Sequence, residues 1–259
     1  KWLFLLEGLP AVVLGVATLF LLTDLPRDAK WLEPEERDWL QATLDAEAQA
    51  KKAERDITVW QALRLRNVWL LALGIFATNT GGLAFAFWLP TAVKNVSSGS
   101  TSETLWWSGL IYACGLVSVF LSGQSSDRTG DRKWHCVAGQ VFAALFLAGS
   151  TIPGQPVWLV LLWLCLTGFA GFFWPSPFWA LPTLTLTASA AAVSIGFINM
   201  LANLAGYLGN SRVGWLKGHG FSDAVCLLFL AGCYLLGGVL VSFVRVPARP
   251  LDSSSYSSS

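Results

Sequence analysis

The sequence predicts an all-α membrane protein, and three observations support this fold class. Hydrophobic residues make up 54% of the 259 residues and charged residues only 13%, whereas typical soluble domains have about 25% charged residues. The mean hydropathy is +0.55. Residues 134–211 contain no Asp, Glu, Lys or Arg, and one helix of that length would measure about 117 Å, against about 30 Å for a bilayer core. We therefore expect this stretch to cross a membrane about three times.

Uncharged runs of about 20 residues predict seven membrane-spanning helices. The first run contains one charge, Glu7, which we interpret as a partner in a structural ion pair rather than a coupling group. Turn-forming residues at 153–156 and around Pro182 divide the long uncharged stretch. The predicted spans are residues 2–22, 67–93, 104–124, 135–152, 157–180, 187–211 and 222–244.

Residues 24–66 differ from the rest, because they hold 18 of the 33 charged side chains. Pro34 is suited to the first turn of a helix, which we expect to run to about Glu54. Acidic residues near its start and lysines near its end match the helix dipole. We predict a cytoplasmic connector with an amphipathic helix on the membrane surface, and a flexible linker is the alternative. The apolar edge of this helix consists of Trp39, Leu40 and Leu44.

The distribution of Lys and Arg predicts the orientation in the membrane. If residues 24–66 are cytoplasmic, that side collects 13 Lys and Arg residues and the other side four. Cytoplasmic loops carry an excess of positive charge, so we expect a multi-pass protein of the plasma (inner) membrane with a cytoplasmic C-terminus. The serine-rich segment 247–259 predicts a disordered tail.

Several functional classes are excluded by composition. A net charge of +1 offers no footprint for nucleic acid. The five cysteines lie in apolar stretches without a CxxC, and no histidine has a second ligand at metal-binding spacing. The sequence contains no Ser/His/Asp or HExxH set that would indicate an enzyme. We therefore predict no catalytic residues, no metal and no cofactor.

The turn at residues 123–133 joins two spans and carries opposite charges. We expect Asp127 to pair with Arg128, Arg132 or a neighbouring helix end and so to hold the inner face closed until the pair breaks. Glycine at 123 permits close helix approach, and Gly130 permits a left-handed turn. A positive-inside anchor is the alternative interpretation. The predicted gating residues are Gly123, Asp127, Arg128, Gly130, Arg132 and Lys133.

Amide side chains on the span 187–211 predict a polar cavity wall. Asn199, Asn203, Gly206 and Asn210 are spaced by four, three and four residues, so they share one helical face. Amides facing lipid are unfavourable, and we expect this face to line a wet cavity. Asparagine both donates and accepts hydrogen bonds, which suits the hydroxyls and carboxylates of a sugar acid. Amide contacts between helices are the alternative.

Two other spans contribute candidate binding residues. Asn79 lies near the middle of 67–93, where Gly81–Gly82 should loosen the helix, and Phe85 and Trp88 would wall the site. Simple aromatic packing is the alternative for Trp88.

Prolines 175 and 177 should bend the span 157–180 and free backbone carbonyls for water or substrate. This bend makes Ser176 and Trp179 candidate cavity residues. A structural kink with tryptophans at the membrane interface is the alternative.

These motifs resemble a known family. Residues 123–133 resemble the G-x-x-x-D-R-x-G-x-R-K loop of the major facilitator superfamily. Other segments resemble the sixth span, the connector, and the seventh, tenth and eleventh spans of its anion:cation symporter family. Those segments are residues 2–11, 28–37, 87–91, 178–182 and 198–216.

The resemblance implies a major facilitator fold, with a C-terminal six-helix bundle plus the sixth helix of the N-terminal bundle. It also implies secondary active transport of a small organic anion (a sugar acid, dicarboxylate or aromatic acid) by alternating access, with a co-transported proton or sodium ion. The absence of an initiator Met predicts that the rest of the N-terminal bundle is missing from this chain. The expected domains are 1–23 (sixth helix), 24–66 (connector), 67–246 (bundle) and 247–259 (tail).

The positions of the acidic residues bear on how transport would be coupled to a proton or sodium ion. The only acids between 67 and 244 lie at predicted span ends, so we expect the coupling carboxylate in the N-terminal bundle.

A seven-span receptor-like protein without transport activity is the alternative function. The chain has no mid-span lysine to hold retinal, which disfavours a photoreceptor.

Overall fold

The computed structural model describes residues 2–23, 25–29, 31–53, 59–97, 99–186 and 188–246. The chain divides into two compact units, residues 1–55 and 56–259. The expected disordered tail, 247–259, lies outside the described residues. The side chain of Glu7 also lies outside them, so its expected ion pair stays a prediction.

The first unit contains two helices, α1 (Trp2–Leu21) and α2 (Pro34–Ala53), with a short 3₁₀ turn at Pro26–Asp28 between them. Helix α2 begins at the proline that the sequence indicates, because proline lacks only a backbone donor that the first turn leaves unused. The Arg37 guanidinium donates a 3.0 Å hydrogen bond to the carbonyl of Leu32 and holds the entering chain.

The second unit is a bundle in which every regular element among the described residues is a helix. This result confirms the all-α fold class. The helices are α3 (Val59–Ala62), α4 (Arg66–Ser97), α5 (Thr101–Thr129), α6 (Lys133–Gly149), α7 (Val157–Gly171), α8 (Pro175–Thr185), α9 (Ala188–Gly218) and α10 (Asp223–Ser242).

Four helical stretches among the described residues are long and apolar enough to cross a membrane: Arg66–Ser97, Thr101–Thr129, Val157–Thr185 and Asp223–Ser242. They make this an integral membrane protein. Helix α6 has only 17 residues, short of the usual span of about 20. The other predicted spans coincide with α1, α6 and α9, but the count of seven crossings stays a prediction.

Local interactions fix both ends of helix α5. Ser100 precedes α5, where its hydroxyl accepts from the backbone N–H of Glu103 at 3.3 Å and its own N–H donates to the Glu103 carboxylate at 3.0 Å. This reciprocal pair satisfies two backbone donors that a helix start leaves unpaired. Helix α5 ends at Gly130, whose φ of 69° is left-handed, the conformation that glycine adopts without penalty.

Helix α4 is central to the bundle, packing against α9 on one side and α10 on the other. Small residues permit both contacts: a Cβ at Gly209 of α9 would overlap the carbonyl oxygen of Thr80, and one at Gly237 of α10 would overlap the Thr78 hydroxyl. Membrane helices gain van der Waals contact where glycine lets backbones approach this closely.

A buried polar contact joins α4 to α6. The Gln140 side chain, fully buried on α6, donates a 3.0 Å hydrogen bond to the Thr78 hydroxyl on α4. Thr78 in turn donates to the carbonyl of Gly74 at 2.9 Å. Because buried polar groups are unfavourable unless they are paired, this contact favours one register between the two helices.

Candidate functional site

A cavity of about 320 Å³ opens among α4, α5, α7, α8, α9 and α10. Its volume falls within the range of about 300–1,000 Å³ that small-molecule sites occupy. The wall combines amide, phenol and aromatic groups on helices that the packing around α4 brings together. The lining includes Asn79, Phe85, Trp179, Asn199, Asn203 and Tyr234.

The three amides of this wall are held by hydrogen bonds to helix α9. Asn79 donates to the carbonyl of Ala202 at 3.2 Å. Asn203 donates to both the backbone carbonyl and the side-chain oxygen of Asn199, at 2.8 and 3.2 Å. The side-chain oxygens of Asn79 and Asn203 have no partner among the described residues, so the wall presents free acceptors.

The amide face predicted on α9 divides into two parts. Asn199 and Asn203 lie at the cavity, whereas Gly206 packs against Leu83 of α4. Asn210 donates back to the carbonyl of Gly206 at 3.0 Å and lies outside the lining. The cavity interpretation therefore describes the first half of this face and helix packing the second.

Trp88 does not line this cavity. It follows Asn79 by nine residues, a rotation of about 180° around the helix, and so lies on the opposite side of α4. Its ring packs against the hydrophobic core, and its indole N–H is buried without a partner among the described residues. Trp88 borders instead a small pocket beside Lys217 and Asp223.

Ser176 is likewise absent from the lining, and its side chain is exposed. The span is broken rather than bent: α7 ends at Gly171 and α8 begins at Pro175. At this break, the residues Trp174, Pro175 and Trp179 line the cavity. Contrary to expectation, the freed carbonyl of Phe173 has a protein partner, the hydroxyl of Ser122 on α5.

The glycine pair at 81–82 does not loosen helix α4, which is continuous from Arg66 to Ser97. These glycines instead accommodate the ring of Tyr234 from α10: a Cβ at Gly81 would come 3.1 Å from the ring, and one at Gly82 would come 2.9 Å from the hydroxyl. Tyr234, like Tyr112 and Trp174, is a cavity residue that sequence reasoning missed. Its only signal is a tyrosine in the middle of an apolar span.

The α5–α6 turn contains the ion pair that the sequence predicts, between Asp127 and Arg132. Arg132 also donates to the hydroxyl of Ser126 at 3.2 Å, and that hydroxyl donates to the backbone carbonyl of Asp131 at 3.2 Å. Lys133 donates to the carbonyl of Val244, beyond the end of α10, at 3.2 Å. The turn is thus tied both to itself and to α10.

Two other residues of the segment 123–133, Gly123 and Arg128, lie in helix α5 rather than in the turn and behave differently from expectation. A Cβ on Gly123 would meet nothing within 4 Å, so this glycine is not a point of close helix approach. The close approach of α5 lies instead at Ile111, which faces Gly168 of α7. Arg128 is exposed and has no ion-pair partner among the described residues. The gating role of the turn stays a prediction.

The cavity wall is mostly apolar, with a few polar groups and no charged side chain. None of its lining residues is Asp, Glu, Lys or Arg. The acids of the bundle lie at helix ends: Glu103 starts α5, Asp127 and Asp131 flank its end, and Asp223 starts α10. The wall can therefore bind a ligand through hydrogen bonds but not through ion pairs.

Comparisons with known proteins agree with this architecture. Residues 1–210 match the model of the Major Facilitator Superfamily, so the chain belongs to that family. A putative tartrate transporter of Agrobacterium vitis is 37% identical over 244 residues, 93% of this chain and 55% of that protein. A quinolone resistance transporter of Acinetobacter baumannii is 32% identical, covering 94% of this chain and 56% of that protein.

The inner membrane transport protein RhmT of Escherichia coli is 31% identical, covering 95% of this chain and 56% of that protein. The chain thus spans about half the length of the curated relatives it matches. Membership of this superfamily and relatives named as transporters confirm the resemblance seen in the sequence motifs. They favour a transport protein over an enzyme or a receptor.

Proposed function

We propose that this chain forms one wall of the substrate pathway in a secondary transporter for a small organic anion. The observation that carries the proposal is the cavity in which Asn79, Asn199 and Asn203 converge from α4 and α9. Amides at mid-membrane depth are unfavourable against lipid and are favoured where a water-filled path or polar ligand meets them.

The wall suits a molecule with hydroxyl groups, because these groups can donate hydrogen bonds to free amide oxygens. The free amide oxygens accept hydrogen bonds, and Phe85 and Trp179 supply apolar area beside them. A site with a few polar groups on a mostly apolar wall is typical of small-ligand recognition. The relatives named as tartrate transporters point to a dicarboxylate or sugar acid as the substrate class.

The transport cycle we propose is alternating access, in which two helical bundles rock about a central site. The Asp127–Arg132 pair would hold the face at the α5–α6 turn closed in one state. That face would be cytoplasmic, and the membrane would be the plasma (inner) membrane. Because the bundle carries its acids at helix ends, we assign proton or sodium coupling to carboxylates outside residues 67–244.

Uptake by the complete gene product in proteoliposomes tests this proposal. Radiolabelled tartrate, glucarate, phthalate and a fluoroquinolone are offered without a gradient, with an inward proton gradient and with an inward sodium gradient, and empty liposomes are the control. We expect one of the two gradients to drive accumulation of at least one of the acids. Accumulation of the fluoroquinolone alone, or of no compound at all, would contradict the proposal of anion transport.

A further inference from the structure

Tyr234 is a buried residue whose hydroxyl has no protein partner among the described residues. Tyr234 is 3% exposed, and its side chain reaches the cavity from α10. No described residue forms a hydrogen bond with its hydroxyl. The other phenol at the cavity differs, because Tyr112 donates to the backbone carbonyl of Ala86 at 2.9 Å. Buried tyrosine hydroxyls ordinarily have a partner, so the partner of this one must come from the cavity.

Glycines on two helices create the space around this hydroxyl. A Cβ at Gly82 of α4, or at Gly171 of α7, would each lie 2.9 Å from the hydroxyl oxygen. A third glycine, Gly81, leaves room for the ring itself. Any larger residue at 82 or 171 would press on the hydroxyl, so the three helices together keep one phenol donor accessible to the cavity.

The geometry points to Tyr234 as a specificity-determining residue that hydrogen-bonds an alcohol group of the substrate. This inference rests on the proposed function and narrows it to hydroxy acids. A carboxylate beside this phenol would lack a cation, because no lining residue is charged, and a buried charge without a partner is strongly unfavourable. An alcohol is neutral and both donates and accepts, which matches a phenol.

A series of four-carbon dicarboxylates tests this inference. Tartrate, malate and succinate share a carbon skeleton and carry two, one and no hydroxyl groups. Initial rates in proteoliposomes containing the complete gene product give KM for each acid. In the parent protein we expect tartrate to be preferred over succinate. Tyr234→Phe should reduce that preference about tenfold, the value of one buried hydrogen bond.

Two further variants separate recognition from a general effect on folding. Gly171→Ala keeps the phenol but displaces it, because the added methyl group would lie 2.9 Å from the oxygen, and the preference should fall in the same direction. Tyr207→Phe removes the hydroxyl of an exposed tyrosine on α9 that lies outside the lining, and it should keep the preference of the parent.

The outcomes distinguish this inference from the proposed function. If Tyr234→Phe leaves the tartrate-to-succinate preference unchanged, or alters KM equally for all three acids, Tyr234 does not recognise the alcohol, while transport of the acids by the parent still supports the proposed function. If the parent takes up none of the three acids, both the assignment of hydroxy acids and the proposed dicarboxylate class fail.

Discussion

Asn79 on α4 donates a 3.2 Å hydrogen bond to the carbonyl of Ala202 on α9, at the edge of the cavity. The bond joins the two helices that carry all three amides of the wall. Further along the same pair of helices, Gly209 of α9 lies against the backbone of Thr80 of α4. Helices α4 and α9 therefore form one wall whose amides keep fixed positions relative to each other.

The close contact between α4 and α9 should be sensitive to a single methyl group. Gly209→Ala would force a Cβ onto the carbonyl oxygen of Thr80, and overpacking of this kind destabilises by about 1–3 kcal/mol. Gly214→Ala, on the same helix with open space around it, is the matched control. Thermal denaturation in detergent should show a lower Tm for the first variant only, and equal Tm values would refute the close packing.

The amide wall makes a prediction about transport. Asn199→Ala removes an amide at the cavity, and we expect a rise in KM of about two- to tenfold from one lost hydrogen bond, without loss of expression. Asn210→Ala serves as the control, because Asn210 lies on the same helix outside the lining. Equal uptake kinetics for Asn199→Ala and the parent protein would remove Asn199 from the site.

Gly123 inside helix α5 and Gly130 at its end should respond in opposite ways to substitution by alanine. Gly130 has a left-handed backbone, so Gly130→Ala should destabilise the bundle by about 1–2 kcal/mol. Gly123 lies in helix α5 with open space around it, and Gly123→Ala should be neutral or stabilising by about 0.5–1 kcal/mol. Chemical denaturation of both variants measures the difference. A stability loss at Gly123 equal to that at Gly130 would argue against this geometry.

The Asp127–Arg132 pair should matter more for transport than for stability. Its carboxylate is largely exposed, and exposed ion pairs contribute less than about 1 kcal/mol. We therefore expect Asp127→Asn to lower the uptake rate while Tm changes little, whereas Arg128→Gln should leave both near the parent values. Normal uptake by Asp127→Asn would exclude a gating role for this pair.

Much of the fold was accessible from sequence because apolar runs and turn residues act locally. Pro34 and Gly130 mark a helix start and a helix end by their own backbone preferences. The break in the span 157–180 was also signalled by its prolines, although the sequence suggested a bend. Two prolines in sequence indicate that backbone donors are lost. They do not indicate whether the helix bends or ends, or that Trp174 lines the cavity.

The site was predictable only where position on one helix decides the matter. Asn199 and Asn203 share a face by their spacing alone. Trp88 could have been excluded by the same arithmetic, since its spacing from Asn79 places it on the opposite side of the helix axis. Tyr234 could not be found in this way, because its place at the cavity depends on glycines of α4 and α7, which contact it only in three dimensions.

Thiol labelling tests most directly whether the amide wall faces a water-filled substrate path. Asn203→Cys is placed in the complete gene product after its native cysteines, including the five of this chain, are replaced by serine, and Leu145→Cys on the exposed side of α6 is the control. A membrane-impermeant thiol reagent should label position 203 but not 145, and tartrate should slow the labelling at 203. If position 203 resists the aqueous reagent as position 145 does, the wall faces lipid and the account is wrong.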